Sequence, residues 1–513
     1  MEGQSGTDAG YAYTPLKHDE ENALSRNGTD KTHQLVNFKF KEDSTDHSPP
    51  SWLSWHEVQM QCALAGPLVI NNLLIFCLQL ISLTFVGHVG ELELSGAAIA
   101  NSFATVTGFS IVLGMGCAME TLCGQAYGAK QYKKMGIYLQ RAIVVLNVTS
   151  IPLVFVWANI EKILVALKQD ANIARKAGEY AVWLIPTLFG NATSQPFAKF
   201  LQAQSIVAPL LWISLCVLSC HAPICWFLVF KSGMGFAGAA LANSISYWID
   251  VLLLAFYVRF SSKCAKSRAP LSLEALQDLT AFLKLAVPSA AMICLEWWSY
   301  EVLVILSGLL SNPELQTATI SICVSTESLV FMLPLALSAA ASIRVSNELG
   351  AGHPQTAQRA VHVSVVLALL EALLVAIVVL LVRNVWGRVY SSETEVIVAV
   401  ASLMPLLALS TIFDGLQAVF SGVARGAGWQ KAGAIINLGS FYVVGLPVGC
   451  VLAFVLHLQG RGLWLGLTLG AFVQFLIFLI ITHFTDWQKE AMKAALRVEA
   501  YSSLEEPLLE SGK

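Results

Sequence analysis

The stretch AGPLVINNLLIFCLQLISLTFV, residues 65–86, contains no charged side chain over 22 consecutive positions. A helix of about 20 apolar residues, rising 1.5 Å per residue, crosses a hydrocarbon core of about 30 Å. Comparable runs recur along the chain, separated by short polar breaks. The twelve predicted spans are residues 60–86, 97–120, 138–158, 180–200, 208–230, 236–259, 284–310, 317–342, 360–382, 396–420, 433–456 and 463–484. The pattern predicts an all-α integral membrane protein with twelve transmembrane helices.

The composition agrees with a membrane protein. Hydrophobic residues make up 56% of the 513 residues, charged residues only 13%, and the mean hydropathy is +0.63. Soluble domains carry about 25% charged residues, so an ordinary cytosolic enzyme and a disordered chain are both excluded. The net charge of −3 offers no basic surface for a phosphate backbone. We therefore expect the lipid bilayer as a partner, and no nucleic acid.

The cysteines do not indicate a metal site. Cys216, Cys220 and Cys225 lie close together, but no His, Asp or Glu cluster completes a coordination shell. They are interpreted as small apolar packing residues, and no disulfide framework is implied.

Both ends of the chain are polar. Residues 1–57 are expected to form a disordered N-tail without a signal peptide, and residues 485–513 a C-tail. Lys and Arg concentrate in the loops after even-numbered spans, for example at Lys133, Lys134 and Arg259. The positive-inside rule then places both tails in the cytoplasm. The sequence leaves open whether the membrane is vacuolar or plasma membrane.

The two halves of the chain resemble each other at an offset of about 221 to 224 residues. AGPLVINN faces AVPSAAMI, aligning Pro67 with Pro288, and GQAYGAKQ faces SNELGAGHP, aligning Gly128 with Gly350. Six helices per repeat is an even number, so the halves run parallel, as in carriers that bind substrate between two lobes. The predicted parts are an N-lobe at 58–260, a linker at 261–283 and a C-lobe at 284–484. We expect a monomer.

Acidic side chains inside spans are costly, at about 2.5–3.5 kcal/mol each at a helix centre, so each needs a reason. The candidates are Asp250, Glu296, Glu301, Glu327, Glu371 and Asp414. All but Asp250 lie in the C-terminal half, where a coupling cation is therefore expected. A carboxylate removed from water is protonated more easily, so it can load and release a proton near neutral pH. Glu296 and Glu301 lie about 140° apart around an ideal helix and do not share a face. Glu120, near a span end, is interpreted as structural.

Aromatic residues interleave with two of these acids in LEWWSYE, which contains Trp297, Trp298 and Tyr300. Aromatic faces beside carboxylates suit a planar or cationic organic ligand, whereas the alternative is simple packing or anchoring at the bilayer interface. The predicted substrate-binding residues are Trp297, Tyr300, Gln79 and Asn101.

No ATPase motif follows a strand and leads into a Walker-type Lys, so we expect gradient-driven transport without a cofactor. A lipid-precursor flippase would need a strongly cationic cavity, and the predicted spans lack central Lys or Arg. An embedded enzyme would need a catalytic triad or a His-rich metal pattern at one depth, so we expect no enzyme. A channel fits the helices alone, but buried acids favour a carrier.

The stretches LAVPSAAMICLEWWSYEVLVILSGLL, SICVSTESLVFMLP and AAASIRVSNELGAGHP, together covering much of residues 285–354, closely resemble the plant branch of the multidrug and toxic compound extrusion (MATE) transporters. VGHVGELELSGAAIANSF, TLCGQAYGAKQY, FLQAQ and FSGVARGAGWQKAGAIINL extend the resemblance over roughly residues 55–485.

The resemblance implies two six-helix lobes around a central cavity and proton-coupled efflux or vacuolar sequestration of organic compounds. Carried over by position, Glu296 and Glu301 match the acids of the seventh helix, and Asp414 matches the acid of the tenth. The first-helix Asp of many prokaryotic members is absent, and Glu327 does not align cleanly with the eighth-helix acid of animal members. Within the family the substrate stays open: xenobiotics, phenolics, hormones or organic acids such as citrate.

Overall fold

The protein is described by a computed structural model over residues 54–500. Its long helices are α1 (Trp55–Gly87), α2 (Glu91–Gly128), α3 (Tyr132–Ala158), α4 (Ala171–Ala203), α5 (Ala208–Phe230), α6 (Phe236–Phe260), α7 (Leu279–Ser307), α8 (Pro313–Gly350), α9 (Pro354–Trp386), α10 (Thr394–Ala427), α11 (Gln430–Val455) and α12 (Gln459–Phe484), followed by α13 (Trp487–Ala500). The chain is an all-α, multi-pass membrane protein, as the sequence predicts. The predicted tail disorder before residue 54 lies outside the described residues, and α1 already begins at Trp55, inside the predicted N-tail.

Eleven of the described helices are long and apolar enough to cross a membrane. The remaining predicted span, α4, is 33 residues long and packs along α2, α3 and α6. Its first turns carry Arg175, Lys176 and Glu179, and its last turns carry Lys199, which lower its average hydropathy. At about 1.5 Å per residue α4 is long enough to span, so we count it as the twelfth transmembrane helix.

Several spans are interrupted by breaks or by wider turns. α8 divides into Pro313–Val330 and Met332–Gly350, with the break at Phe331. Pro334 has no amide hydrogen to donate to the carbonyl one turn earlier, at Val330, so the helix loses its regular bonding there. α2 and α11 contain wider π-type turns at Thr105–Phe109, Leu438–Gly445 and Val451–Val455. Such turns occur frequently at functional sites.

The predicted internal repeat appears as reciprocal close contacts between α2 and α8. A side chain at Gly128 would collide with the Asn347 carbonyl, and a side chain at Gly350 would collide with the Gln125 carbonyl. Gly128 aligns with Gly350 in the two repeats, and Gln125 aligns with Asn347. The two contacts are therefore symmetry-related, and only glycine lets the two backbones approach this closely.

Buried apolar side chains fall into one large cluster from α1–α6 and three smaller clusters from α7–α13. Phe282 and Ala286 of α7, with Ala336 and Ala340 of α8, join the first cluster. The two halves of the sequence therefore pack together through α7 and α8. α7 begins at Leu279, five residues before the predicted C-lobe, so the segment between α6 and α7 is shorter than the predicted linker.

The predicted C-tail begins with a helix, which the sequence analysis did not foresee. In α13, Trp487, Ala491 and Ala494 are buried against α8 and α9 at helical spacing. Arg497 donates from one nitrogen to Gln125 Oε1 at 3.3 Å and to the Ala427 carbonyl at 3.0 Å. α13 thus covers the end of the bundle formed by Gly128, Gly350 and Ala427, which we call the terminal face.

Candidate functional site

Three acidic residues from three helices meet inside the C-terminal half. Glu296 of α7, Glu327 of α8 and Asp414 of α10 are 5%, 4% and 2% exposed, respectively. Asp414 lies close enough to both Glu296 and Glu327 for direct electrostatic interaction. Tyr300, one turn after Glu296 on the same face of α7, also lies beside Asp414. We call Glu296, Glu327 and Asp414 the carboxylate cluster.

The carboxylate cluster is poorly satisfied. Both side-chain oxygens of Asp414 and Oε2 of Glu327 are buried without a well-formed hydrogen bond to a described residue. No Lys or Arg among residues 54–499 forms an ion pair with the cluster. Arg425 attracts Glu296 at longer range, but its own hydrogen bonds go to Glu120 Oε2 and Ser338 Oγ, both at 2.9 Å. Buried carboxylates this close repel one another when more than one is charged.

Glu371 of α9 extends the cluster towards the lipid-facing surface. It interacts electrostatically with Glu327, and its buried Oε2 has no hydrogen-bond partner among the described residues. It lines a groove of about 320 Å³ between α1, α8 and α9 whose other walls are apolar: Val69, Leu333, Leu337, Leu367, Leu370 and Leu374. Glu327 and Glu371 were predicted only as possible secondary acids. Glu327 is a neighbour of Asp414, and Glu371 is a neighbour of Glu327.

The sequence analysis missed the buried amides beside Glu296. Gln417 of α10 donates from Nε2 to Glu296 Oε1 at 2.9 Å, and Gln474 of α12 also lies beside Glu296. Gln417 follows Asp414 by three residues, hence on the same helix face. This spacing is the sequence signal that could have identified Gln417. The sequence analysis considered only acidic side chains in the spans and not uncharged amides.

Glu301 lies apart from the carboxylate cluster. It is half-buried and has no hydrogen bond or ion pair with a described residue, as expected from its different face of α7. Trp297 is also half-buried, while Trp298 donates from Nε1 to the Val106 carbonyl at 2.9 Å and so joins α7 to α2. Of the aromatic motif, Tyr300 is the residue placed at the acids.

The predicted residues of the N-terminal half are dispersed. Gln79 is exposed on α1, Asn101 lies beside the buried Tyr180, and Asp250 is half-buried beside Tyr247. Gln79 and Asn101, which the sequence predicted to bind substrate, therefore do not lie at the carboxylate cluster.

Glu120 forms the centre of a buried ion network instead of a lone acid near a span end. Lys199 Nζ of α4 lies 2.6 Å from Glu120 Oε1, and Arg425 Nε of α10 lies 2.9 Å from Oε2. Neither cation is central in a predicted span: Lys199 lies at the end of the span predicted at 180–200, and Arg425 lies five residues beyond the span predicted at 396–420, where α10 continues to Ala427. Glu120 pairs with both cations, and the three side chains together keep one positive charge.

A second ion pair joins the halves at the terminal face. Arg344 of α8 contacts both carboxylate oxygens of Glu57 on α1, at 2.9 and 2.8 Å, and also pairs with Glu348 at 2.8 Å. Gln61 donates to the Ala360 carbonyl of α9 at 2.8 Å. α1, α2, α8, α9 and α10 are therefore tied together at this end by buried polar contacts.

The MatE family profile matches the chain twice, over residues 67–227 and 288–451. The two matches begin 221 residues apart (288 minus 67), at Pro67 and Pro288, which is the offset of the repeat found in the sequence. Together they cover more than half of the chain. The chain belongs to the MatE family.

Curated relatives and solved structures agree. Protein DETOXIFICATION 16 of Arabidopsis thaliana is 54% identical over 88% of this chain and 93% of its own length. Protein DETOXIFICATION 17 of the same plant is 51% identical over 86% and 93%. The crystal structure of the eukaryotic MATE transporter AtDTX14 superposes with a TM-score of 0.84 at 49% identity, covering 86% of this chain and 99% of that one. A MATE transporter of Vibrio cholerae, at 18% identity and a TM-score of 0.75, shares the fold.

The fold and the family together define a multi-pass membrane transporter of the plant-type MATE class. The relatives are transporters and not enzymes, which agrees with the expectation from sequence.

Proposed function

We propose that this protein is a proton-coupled antiporter that moves small organic compounds out of the cytoplasm by alternating access. The observation that carries the proposal is the carboxylate cluster, with its buried, unpaired oxygens on Asp414 and Glu327. A buried carboxylate without a cation is stabilised by binding a proton. Carboxylates that share one site titrate as a coupled set, so we assign proton exchange to Glu296, Glu327 and Asp414 together.

The position of the cluster supports coupling to a conformational change. Glu327 lies one turn before the break in α8, and Glu296 lies two turns after Pro288 in α7. Protonation removes the repulsion between acids on α7, α8 and α10, so these helices can repack. Release of the proton restores the repulsion and reverses the change.

The tails are proposed to lie in the cytoplasm, which makes the terminal face the cytoplasmic face. The buried pairs Glu57–Arg344 and Glu120–Arg425 then close the transporter towards the cytoplasm. Both pairs join the N-terminal to the C-terminal half, so they must separate when the cavity opens to that side. The described arrangement is accordingly proposed as the state that faces away from the cytoplasm.

The substrate is proposed to be an organic cation, because unpaired carboxylates lie beside the aromatic ring of Tyr300. One pH unit supplies about 1.4 kcal/mol per proton. A membrane potential adds about 2.3 kcal/mol per charge per 100 mV. Because these gradients supply the energy, we propose that transport needs no nucleotide or other cofactor. The protein is proposed to act as a monomer in the vacuolar or the plasma membrane.

The proposal is tested by uptake of a fluorescent organic cation into proteoliposomes with an imposed pH gradient, an imposed Na⁺ gradient or neither. Wild type, Glu296→Gln and Asp414→Asn are compared after size-exclusion chromatography confirms folding. We expect accumulation only with the pH gradient and only in wild type. Accumulation driven by Na⁺ alone, or equal accumulation in the variants, would refute the proton mechanism.

A further inference from the structure

The side chain that hydrogen-bonds Glu296 is held by a chain of buried polar groups. Gln417 Oε1 faces Ser421 Oγ at 3.4 Å, one turn further along α10. Ser421 Oγ in turn accepts from Gln474 Nε2 of α12 at 3.5 Å. A hydroxyl that accepts from Gln474 has its own hydrogen free for Gln417 Oε1. This arrangement turns the Gln417 amide so that its nitrogen, the donor, points at Glu296.

A second arm returns from Gln474 to the helix that carries Glu296. Gln474 Nε2 donates to Asn437 Oδ1 of α11 at 2.8 Å. Asn437 Nδ2 donates to the Met292 carbonyl at 2.7 Å, one turn before Glu296 on α7. We call Gln417, Ser421, Gln474 and Asn437 the amide ring. It is fully buried, links α7, α10, α11 and α12, and Asn437 directly precedes the π-type turns of α11.

The amide ring treats the two protonation states of Glu296 differently. Gln417 offers a donor, which stabilises the ionised carboxylate. Gln474 Oε1 is buried without a partner among the described residues, and Gln474 lies beside Glu296. The ionised form is thus held by amides of both α10 and α12, and protonation removes the negative charge that strengthens these hydrogen bonds.

We infer that Gln417 is a positioning residue for proton exchange at Glu296, and that the amide ring passes the protonation state of Glu296 from α10 to α11 and α12. This inference rests on the proposed function. The charged and titratable groups that face Glu296 are Tyr300 on its own helix, and Asp414 and Arg425 on α10. The facing side chains of α11 and α12 are amides, which do not titrate.

The test is the pH dependence of exchange in proteoliposomes. Gln417→Met removes the donor to the ionised carboxylate while keeping side-chain length, so the pH of half-maximal exchange rises by about one unit, the tenfold change expected for one charge-assisted hydrogen bond. Ser421→Ala leaves the Gln417 amide free to rotate, so the pH of half-maximal exchange rises by a smaller amount. Ser421→Thr keeps the hydroxyl and restores the wild-type profile. The matched control is Gln202→Met, an amide near the end of α4 that hydrogen-bonds none of the buried acids, and it leaves the profile unchanged.

Infrared titration provides a measurement that does not depend on transport. The band of the protonated Glu296 carboxyl is obtained by subtracting the spectrum of Glu296→Gln from that of wild type. If Gln417→Met folds poorly, the same titration is made on Ser421→Ala. The same upward shift in Ser421→Ala supports the inference. Wild-type profiles for Gln417→Met, or equal shifts for Ser421→Ala and Ser421→Thr, would overturn it. If Glu296→Gln itself keeps the wild-type pH dependence, the proposed function fails first; if only the ring variants match wild type, the ring inference alone fails.

Discussion

The buried acids of the two halves differ in their partners. Glu120 and Glu57, in the N-terminal half, each lie within 3 Å of an Arg nitrogen, and Glu120 also contacts Lys199 at 2.6 Å. Asp414 and Glu327, in the C-terminal half, have buried oxygens without a well-formed partner among the described residues. Equal burial therefore produces different chemistry: the paired acids are fixed charges that hold helices together, and the unpaired acids are the groups to which we assign proton exchange in the proposed function.

The largest expected effect is on transport, from Asp414→Asn. The asparagine amide cannot take up a proton. A pH gradient of one unit, which supports about tenfold accumulation of substrate per proton in wild type, should therefore drive no accumulation in this variant. Uptake of a fluorescent cation into proteoliposomes measures this ratio. The same substitution removes a buried unpaired carboxylate, so the unfolding midpoint stays at the wild-type value or rises. A variant that unfolds early would contradict the contrast between the halves.

Glu120→Gln makes the matching change in a paired acid. It leaves Lys199 and Arg425 buried without a carboxylate, and breaking a buried pair costs about 3–5 kcal/mol. We expect a much lower unfolding midpoint in detergent, in contrast to Asp414→Asn. Equal midpoints for the two variants would remove the distinction between paired and unpaired acids.

Glu301→Gln compares the two acids of α7, of which only Glu296 belongs to the carboxylate cluster. Glu301 is half-buried and lies outside the carboxylate cluster, so we expect gradient-driven uptake to change by no more than about twofold. Parallel assays with Glu296→Gln provide the reference. A loss as large as that of Glu296→Gln would place Glu301 in the coupling site, as the family resemblance implies.

The smallest expected effect comes from the pair of His353 and Glu348, in which the histidine is partly exposed. The hydrogen bond to Glu348 raises the pKa of His353 above its ordinary value. Because the folded state binds this proton more tightly, the stabilisation is fully present below about pH 6.5 and is lost as the pH rises through the raised pKa. The His353 side chain is 44% exposed, so solvent limits the contribution to under about 1 kcal/mol. Thermal unfolding of wild type and His353→Gln at pH 6 and pH 8 checks it: the two proteins should differ at pH 6 and converge at pH 8.

The sequence predicted the spans well because hydropathy is a property of each segment by itself. It also predicted the repeat, since Gly128 and Gly350 are required by a backbone contact that occurs twice. It placed Glu296, Tyr300 and Asp414 at one site through the family resemblance. The ion network of Glu120 escaped prediction because its three residues lie at or beyond the ends of three different predicted spans, and the sequence does not show that those ends meet.

The amphipathic helix α13 escaped for a related reason. Its buried face consists of Trp487 and small alanines, which carry little hydrophobic signal until α8 and α9 provide a surface to cover.

By itself, the sequence determined that this chain crosses a membrane in two related halves and that most of its buried acids lie in the second. Only the tertiary structure decided which acids meet. Glu327 meets Asp414, Glu371 meets Glu327, Glu301 lies apart, and Gln417 and Gln474 lie beside Glu296. The physical reason is that the cost of a buried charge depends on its neighbours, and in a helical bundle those neighbours come from other helices. Their rotation and depth are fixed by packing, which the order of residues along one helix does not contain.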